Sequence, residues 1–571
     1  MTKTRAKMGR RSGKLPETEL YYNFGAKIAA AKKRCIVMAE IQENRRKILR
    51  SSFGVSVATV LARILGLLRV MLEARVLGGG AMASAWQLGF MMPNLLRRLF
   101  GEGALSTALI PMLSHLEAAE GLTEVRRRLT GIFLLLSALL AALAVLVSGV
   151  SLALLAAVRT EYIRVALKLI PILMPYTIFI CLVGVMTAVV NTRRVFFLAS
   201  LNALLLNLVL IAVLLAGQAA GLGGTVGFLH RMAYSVVLAG VLQLALMLVL
   251  MWKCSIFPIL RGGLARCGTV FRELFLLALP GMVGGAAGQI SFLVDRALAC
   301  WVGDYAVASL SYSERLVYLP IGVFAMALSS VLMADMSRAA ARKNYVEMAD
   351  DCALGLRYVW YFCAPLGVFL VVWREPLIRL LFMYGKFTEF HVGETAWALL
   401  FYSLGIPAFC ATKVILPMFY ARKKMTTPLK VSLVAVGVNI VMNIPLMLWL
   451  RQGGIALATV ISAGVNNVLL LAILKRENLG LPMRPVLFTV FKALTGSAAG
   501  ALCFFWYQPL REHLTRVSGL PEWVPGDLLP MTISAAGFGG IYLAVSVVLG
   551  MREPREMLQS FRRRRAPSGK A

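Results

Sequence analysis

The sequence predicts an all-α polytopic membrane protein of about fourteen transmembrane helices. Three observations carry that expectation. Of 571 residues, 59% are hydrophobic, and the mean hydropathy is +0.76, beyond the range of soluble domains. Apolar runs of about 20 residues, the length that crosses a bilayer as a helix, recur along the chain. Basic residues collect in alternate gaps between those runs, as the positive-inside rule requires. The alternating ten-residue pattern of a membrane β-barrel is absent.

Residues 1–50 are polar and basic, without a signal-peptide core. They read either as a cytoplasmic, partly helical extension able to touch anionic lipid or as the product of a mis-assigned start site. Apolar segments follow at about 52–74, 82–115, 129–157, 162–190, 198–217, 230–251, 270–300, 305–334, 352–383, 391–420, 428–450, 454–474, 485–508 and 525–550. With a cytoplasmic N-terminus, the inside loops hold Arg126-Arg127-Arg128, Arg193-Arg194, Lys253 with Arg261 and Arg266, Arg342-Lys343, Arg422-Lys423-Lys424 and Lys475-Arg476, and the tail holds Arg562 to Arg565. The loop near 217–228 has no Lys or Arg. Both termini are therefore expected in the cytoplasm. The net charge of +33 would suggest nucleic acid in a soluble protein; here it reports topology, and no nucleic-acid partner is expected. Nine scattered cysteines and four histidines form no CxxC pair and no HExxH helix.

The chain contains an internal repeat. Ala104-Leu105-Ser106-Thr107-Ala108-Leu109 is similar to Ala327-Leu328-Ser329-Ser330-Val331-Leu332, an offset of 223 residues or about six helices with their loops. An even number keeps both copies in one orientation, which predicts two parallel six-helix lobes about a central site. The expected organisation is the extension 1–50, an N-lobe 51–257, a C-lobe 268–476, two extra helices within 484–551 and a basic tail 552–571.

Charge inside the apolar runs marks the candidate site. Arg63 and Arg69 fall in the first run; Arg97, Arg98 and Glu102 interrupt the second after Pro93; Glu314 and Arg315 fall in the eighth. A central arginine costs roughly 2.5–3.5 kcal/mol on insertion scales and is tolerated where it faces a wet cavity. Interfacial snorkelling is the competing reading, and it fits Arg69 better than Arg63. Arg98 and Glu102, four residues apart, share a helix face. An arginine-lined chamber suits a phosphorylated anion, because the planar guanidinium gives bidentate hydrogen bonds. A second polar set comprises Asp295, Asn439, Asn443 and Thr459. Its oxygens suit a hard monovalent cation, but they serve equally well as hydrogen-bonding glue between helices. No GxxxxGK[ST] phosphate loop and no catalytic constellation occurs, so a transporter is expected rather than an enzyme.

Several stretches resemble the MurJ (MviN) lipid II flippase family of the multidrug/oligosaccharidyl-lipid/polysaccharide exporter superfamily. They are Ala62-Arg63-Ile64-Leu65-Gly66, Pro93-Asn94-Leu95-Leu96-Arg97-Arg98-Leu99-Phe100-Gly101-Glu102-Gly103-Ala104, Gln289-Ile290-Ser291, Tyr312-Ser313-Glu314-Arg315-Leu316, Tyr384-Gly385-Lys386-Phe387-Thr388 and Phe419-Tyr420-Ala421-Arg422 with Thr427-Pro428. The resemblance spans about residues 51–550. It implies fourteen helices, a lipid groove bordered by the last two, and export of the undecaprenyl-pyrophosphate-linked peptidoglycan precursor across the bacterial inner membrane. It also implies cavity roles for Arg63, Arg69, Arg97 and Arg315 and a sodium site on Asp295, Asn439, Asn443 and Thr459. The expected partners are lipid II and membrane lipids, and the expected state is a monomer.

Two departures stand out. Val70 follows Arg69, and Ser84-Ala85-Trp86 stands, where the family usually has aspartate; both changes are expected to leave the cavity more positive. The alternatives are another polysaccharide-lipid flippase or a drug/cation antiporter of the superfamily, a non-transporting scaffold of the cell-wall complex, and a lipid-modifying membrane enzyme.

Overall fold

Apolar side chains all round, with backbone groups that must bond internally in hydrocarbon, give a chain built from long helices. The computed structural model describes residues 57–101, 104–193, 195–259, 267–517, 526–554 and 556, and no strand occurs among them. The extension 1–50, Glu102, Arg194, Arg261, Arg266 and Arg562 to Arg565 lie outside the described residues.

The helices run in order as α1 (57–77), α2 (Ala81–Leu96), α3 (Ala104–Glu120), α4 (Leu122–Ala157), α5 (Glu161–Thr192), α6 (Phe196–Ala219), α7 (Val226–Lys253), α8 (Cys267–Val302) and α9 (Ala306–Ala341). They continue as α10 (Tyr345–Val372), the short α11 (Arg374–Phe382), α12 (Glu389–Leu404), α13 (Ile406–Tyr420), α14 (Thr426–Leu450), α15 (Gln452–Arg476), α16 (Met483–Ala501), α17 (Tyr507–Val517) and α18 (Leu528–Val548). Eleven spans among the described residues are long and apolar enough to cross a membrane, with α12 and α13 forming one of them. Outside those eleven stand the short α11 and also α1, α2 and α3 with the turn between them, and α8; all but α11 belong to the segments that carry Arg63, Arg69, Arg97, Arg98, Asp295 and Arg296.

Local chemistry sets the breaks. The expected single run 82–115 is interrupted by a π-helical turn, Arg97–Gly101, four residues after Pro93. Proline removes one helical N–H, and single π turns inside α-helices are frequent at functional positions. The turn is seated on α5 by two glycines: a Cβ added at Gly184 would overlap the carbonyl of Gly101. Thr225 caps α7 by accepting from the Phe228 N–H at 3.2 Å. Asn344 caps α10 by accepting from the Glu347 N–H at 3.3 Å, which satisfies a donor left open at a helix start.

Packing falls into two sets. Helices α2, α3, α4 and α7 lie on α5, with α6 on α7. Helices α9 and α15 lie on α12, α13 packs on α9 and α10, and α14 joins α15 to α8. The sets meet where α2 contacts α9 and where α8 lies on α3 and α4. α16 packs on α10 and carries α18.

At the end where α1 terminates, several bonds tie the first set to the second. Tyr312 Oη donates to the Gly78 carbonyl at 2.9 Å, the Lys386 N–H to the Arg75 carbonyl at 3.0 Å, and the Ala308 N–H to Ser84 Oγ at 3.2 Å. Lys386 Nζ also donates to the Gly223 carbonyl. Gly78 and Gly385 both have positive φ where these segments cross, and a Cβ on either would meet the opposing backbone. Ser84 thus has a role of its own where the family resemblance led us to expect a carboxylate.

Because both groups facing each other at Gly184 and Gly101 are backbone, no side-chain rotation relieves an added methyl. Gly184→Ala is therefore expected to cost about 1–3 kcal/mol by overpacking, seen as a lower melting temperature of the detergent-purified protein. An unchanged melting temperature would show that the π turn is not held by this contact.

Candidate functional site

A cavity of about 790 Å³ lies among α1, α2, α5, α6 and α9, and its wall includes Arg63, Arg69, Arg97, Arg98 and Arg315 with the amides of Asn94, Asn202 and Asn207. On α5 the lining extends from Tyr176 to Asn191, so the cavity reaches toward the basic turn after α5. The opposite end of the bundle is the one tied at Gly78 and Lys386.

The arginines are held differently. Arg63 reaches across from α1 and donates to the α9 carbonyls of Leu319, at 3.2 Å, and Gly322, at 2.8 Å. Arg69 is buried, and its Nε lies 3.3 Å from the Glu73 carboxylate one turn on. Glu73 is 2% exposed and also accepts from Gln87 Nε2 at 3.3 Å. The aspartate expected after Arg69 is replaced by Val70, yet a carboxylate four residues on takes up the charge, so the cavity is less positive at this point than the sequence suggested. Arg97 and Arg98 project from the π turn. Arg98 Nη1 approaches Gln289 Oε1 at 3.5 Å, and its guanidinium lies 5.9 Å from the centre of the Phe292 ring. Arg315 lies on α9, exposed to the cavity rather than to the outer surface. Glu314 does not line this cavity; its carboxylate pairs with Arg296 of α8.

The second polar set comes together at the junction of α8, α14 and α15. Asn443 Nδ2 donates to Asp295 Oδ1 at 2.7 Å and to Asn439 Oδ1 at 3.2 Å. Thr459 Oγ1 donates to Asp295 Oδ2 at 3.1 Å. Ser291, one turn before Asp295, donates to Asn439 Oδ1 at 2.7 Å. Asn439 and Asn443 are fully buried and Asp295 nearly so. Asn443 Oδ1 is buried with no hydrogen-bond partner among the described residues. A cluster of oxygens with one carboxylate and one orphaned acceptor has the chemistry of a hard monovalent-cation site.

The sequence reading missed Glu73 and Ser291 as site residues, and it considered Arg296 only as a partner for Asp295, whereas Arg296 pairs with Glu314. Glu73 stands four residues after Arg69, and Ser291 four before Asp295, so the one-turn spacing was a signal for both. The Arg296–Glu314 pair joins different helices, and spacing alone cannot show it.

A family model described as lipid II flippase MurJ matches residues 73–522. A probable lipid II flippase MurJ of Vibrio cholerae serotype O1 is 29% identical over 534 residues, covering 90% of this chain and 98% of the relative. A probable lipid II flippase MurJ of Rhizobium tropici is 30% identical over 467 residues, covering 79% of this chain and 86% of the relative. Among solved structures, lipid II flippase MurJ in an inward closed conformation superposes with a TM-score of 0.69 at 24% identity, covering 86% of this chain and 98% of that one. An inward-facing multidrug resistance MATE family transporter of the MOP superfamily gives a TM-score of 0.60 at 14% identity, covering 73% of this chain and 98% of that one. At these identities the structural likeness is one of fold.

Removing one partner of a buried ion pair leaves an uncompensated charge, at about 3–5 kcal/mol. Glu73→Leu is therefore expected to destabilise the protein strongly through Arg69, and Arg69→Met/Glu73→Leu to melt higher than Glu73→Leu alone. Additive losses in this double-mutant cycle would show that the pair carries no coupling.

Proposed function

The chain belongs to the lipid II flippase MurJ family, and from that premise we propose that it moves the undecaprenyl-pyrophosphate-linked disaccharide-peptide from the inner to the outer leaflet of the bacterial cytoplasmic membrane. The observation that carries this reading is the cavity wall with its five arginines, drawn from α1, the π turn and α9. A pyrophosphate cannot cross about 30 Å of hydrocarbon unaided. Its charge needs donors within a wet path, and Arg63, Arg69, Arg97, Arg98 and Arg315 supply them in this reading, with Glu314 setting the charge beside Arg315.

The two helix sets, residues 51–257 and 268–476, act as lobes that rock about the cavity. The lipid tail stays outside along α16 and α18, within 484–551. The Arg63 bridge to α9 and the bonds at Gly78 and Lys386 are contacts that such rocking must break and remake. Asp295, Asn439, Asn443 and Thr459 hold a sodium ion that biases the lobes. An ion can shift the equilibrium only by its differential affinity for the two states. The protein works as a monomer without a catalytic step or nucleic acid, and both termini are cytoplasmic, as the basic inside loops favour.

Bidentate recognition distinguishes this reading from a purely electrostatic one. Arg63→Lys, Arg97→Lys and Arg315→Lys should each impair growth complementation and precursor flipping nearly as much as the alanine variants at equal membrane expression. Wild-type behaviour of all three lysine variants would refute bidentate binding, and silent alanine variants would refute the cavity assignment. Depletion should strand the lipid-linked precursor on the inner leaflet; loss of dye efflux alone would point to a drug/cation antiporter. Flipping should rise with sodium and lose that dependence in Asp295→Ala. Sodium-independent flipping unchanged by the substitution would remove the cation site.

A further inference from the structure

A second cavity, of about 120 Å³, lies between α2, α8 and α9. It shares Arg98 and Arg315 with the central cavity and adds Arg296 and Gln289 from α8. Three guanidinium groups and one carboxylate, Glu314, therefore line this small space.

Arg296 is the unusual member. It is 2% exposed. Its Nη2 pairs with the Glu314 carboxylate, and its guanidinium sits 4.8 Å from the centre of the Phe292 ring. Its Nη1 is buried without a hydrogen-bond partner among the described residues. A buried donor on a charged group is costly when unmet, and Glu314 neutralises only one of the three cations. Phe292 fixes the guanidinium plane from one side, with Arg98 across the same ring at 5.9 Å. A small oxyanion in the adjoining space would balance the positive charge that Glu314 leaves unmatched. The space is too small for a pyrophosphate with its sugar, and it suits a planar carboxylate, which matches the guanidinium fork.

We propose that this side pocket is a subsite for a carboxylate on the peptide of the same substrate whose pyrophosphate occupies the central cavity. The proposal rests on the reading given under Proposed function. Arg98 and Arg315 stand between the two cavities, so one head group can engage both, and Arg296 and Gln289 determine preference for an acidic peptide rather than transport of pyrophosphate as such.

The test uses the full chain in nanodiscs and three lipids: the undecaprenyl-pyrophosphate disaccharide-peptide, the same lipid with every peptide carboxylate amidated, and the disaccharide lipid without peptide. Wild-type protein should bind the acidic form about tenfold more tightly than the amidated one, a preference that Arg296→Gln reduces to within about twofold. Gln289→Glu places a competing carboxylate at the half-buried rim beside Arg98 and should abolish the same preference, which keeps the test decisive if Arg296→Gln fails to fold. Equal binding of all three lipids by wild-type protein would overturn the subsite and leave the pyrophosphate reading standing, as would a preference that survives both substitutions. Absence of binding to any of the three would overturn both readings.

Discussion

Guanidinium groups at membrane depth constrain the whole architecture. Each costs several kcal/mol in hydrocarbon unless water, carbonyls or carboxylates receive it. The chain supplies all three kinds of partner: α9 carbonyls for Arg63, Glu73 for Arg69, and an open cavity for Arg315. The π turn after Pro93 places Arg97 and Arg98 at the boundary between the helix sets, and the Gly184–Gly101 approach lets α5 back that turn closely. Shielding the arginines from lipid requires helices on every side, so α2, α5, α6 and α9 surround the cavity rather than lie side by side.

Electrostatic continuity links the two polar regions. Asp295 belongs to the oxygen cluster on α8, α14 and α15, while its neighbour Arg296 reaches Glu314 on α9. Glu314 is followed directly by Arg315, which faces the central cavity. A change in charge at Asp295 is therefore felt two residues of chemistry away from the groups that line the cavity. Adjacent residues on one helix point in different directions, and α8 uses that property to serve two sites.

Much of the fold was legible because a membrane helix needs about 20 apolar residues, and because charged residues within such runs are too costly to be incidental. Arg63, Arg97 and Arg315 could thus be picked out from separate segments, and the structure sets them in one wall. The breaks were less legible. The run 391–420 divides at Gly405 into α12 and α13, and the run 352–383 into α10 and α11, because apolarity reports burial in lipid and not helix continuity. Val70 misled for a different reason: the neutralising carboxylate is supplied from the next turn, by Glu73, rather than from the next residue. The Arg296–Glu314 pair was invisible because it depends on how α8 crosses α9.

The central claim is that the arginine cavity carries the pyrophosphate. It is tested most directly by an experimental structure of the full chain with the undecaprenyl-pyrophosphate disaccharide-peptide bound. The account predicts pyrophosphate oxygens within hydrogen-bonding reach, about 2.7–3.2 Å, of guanidinium groups drawn from α1, the π turn and α9, with the lipid tail outside along α16 and α18. Pyrophosphate seated on the outer, lipid-facing surface, with the cavity arginines making no contact to it, would contradict it.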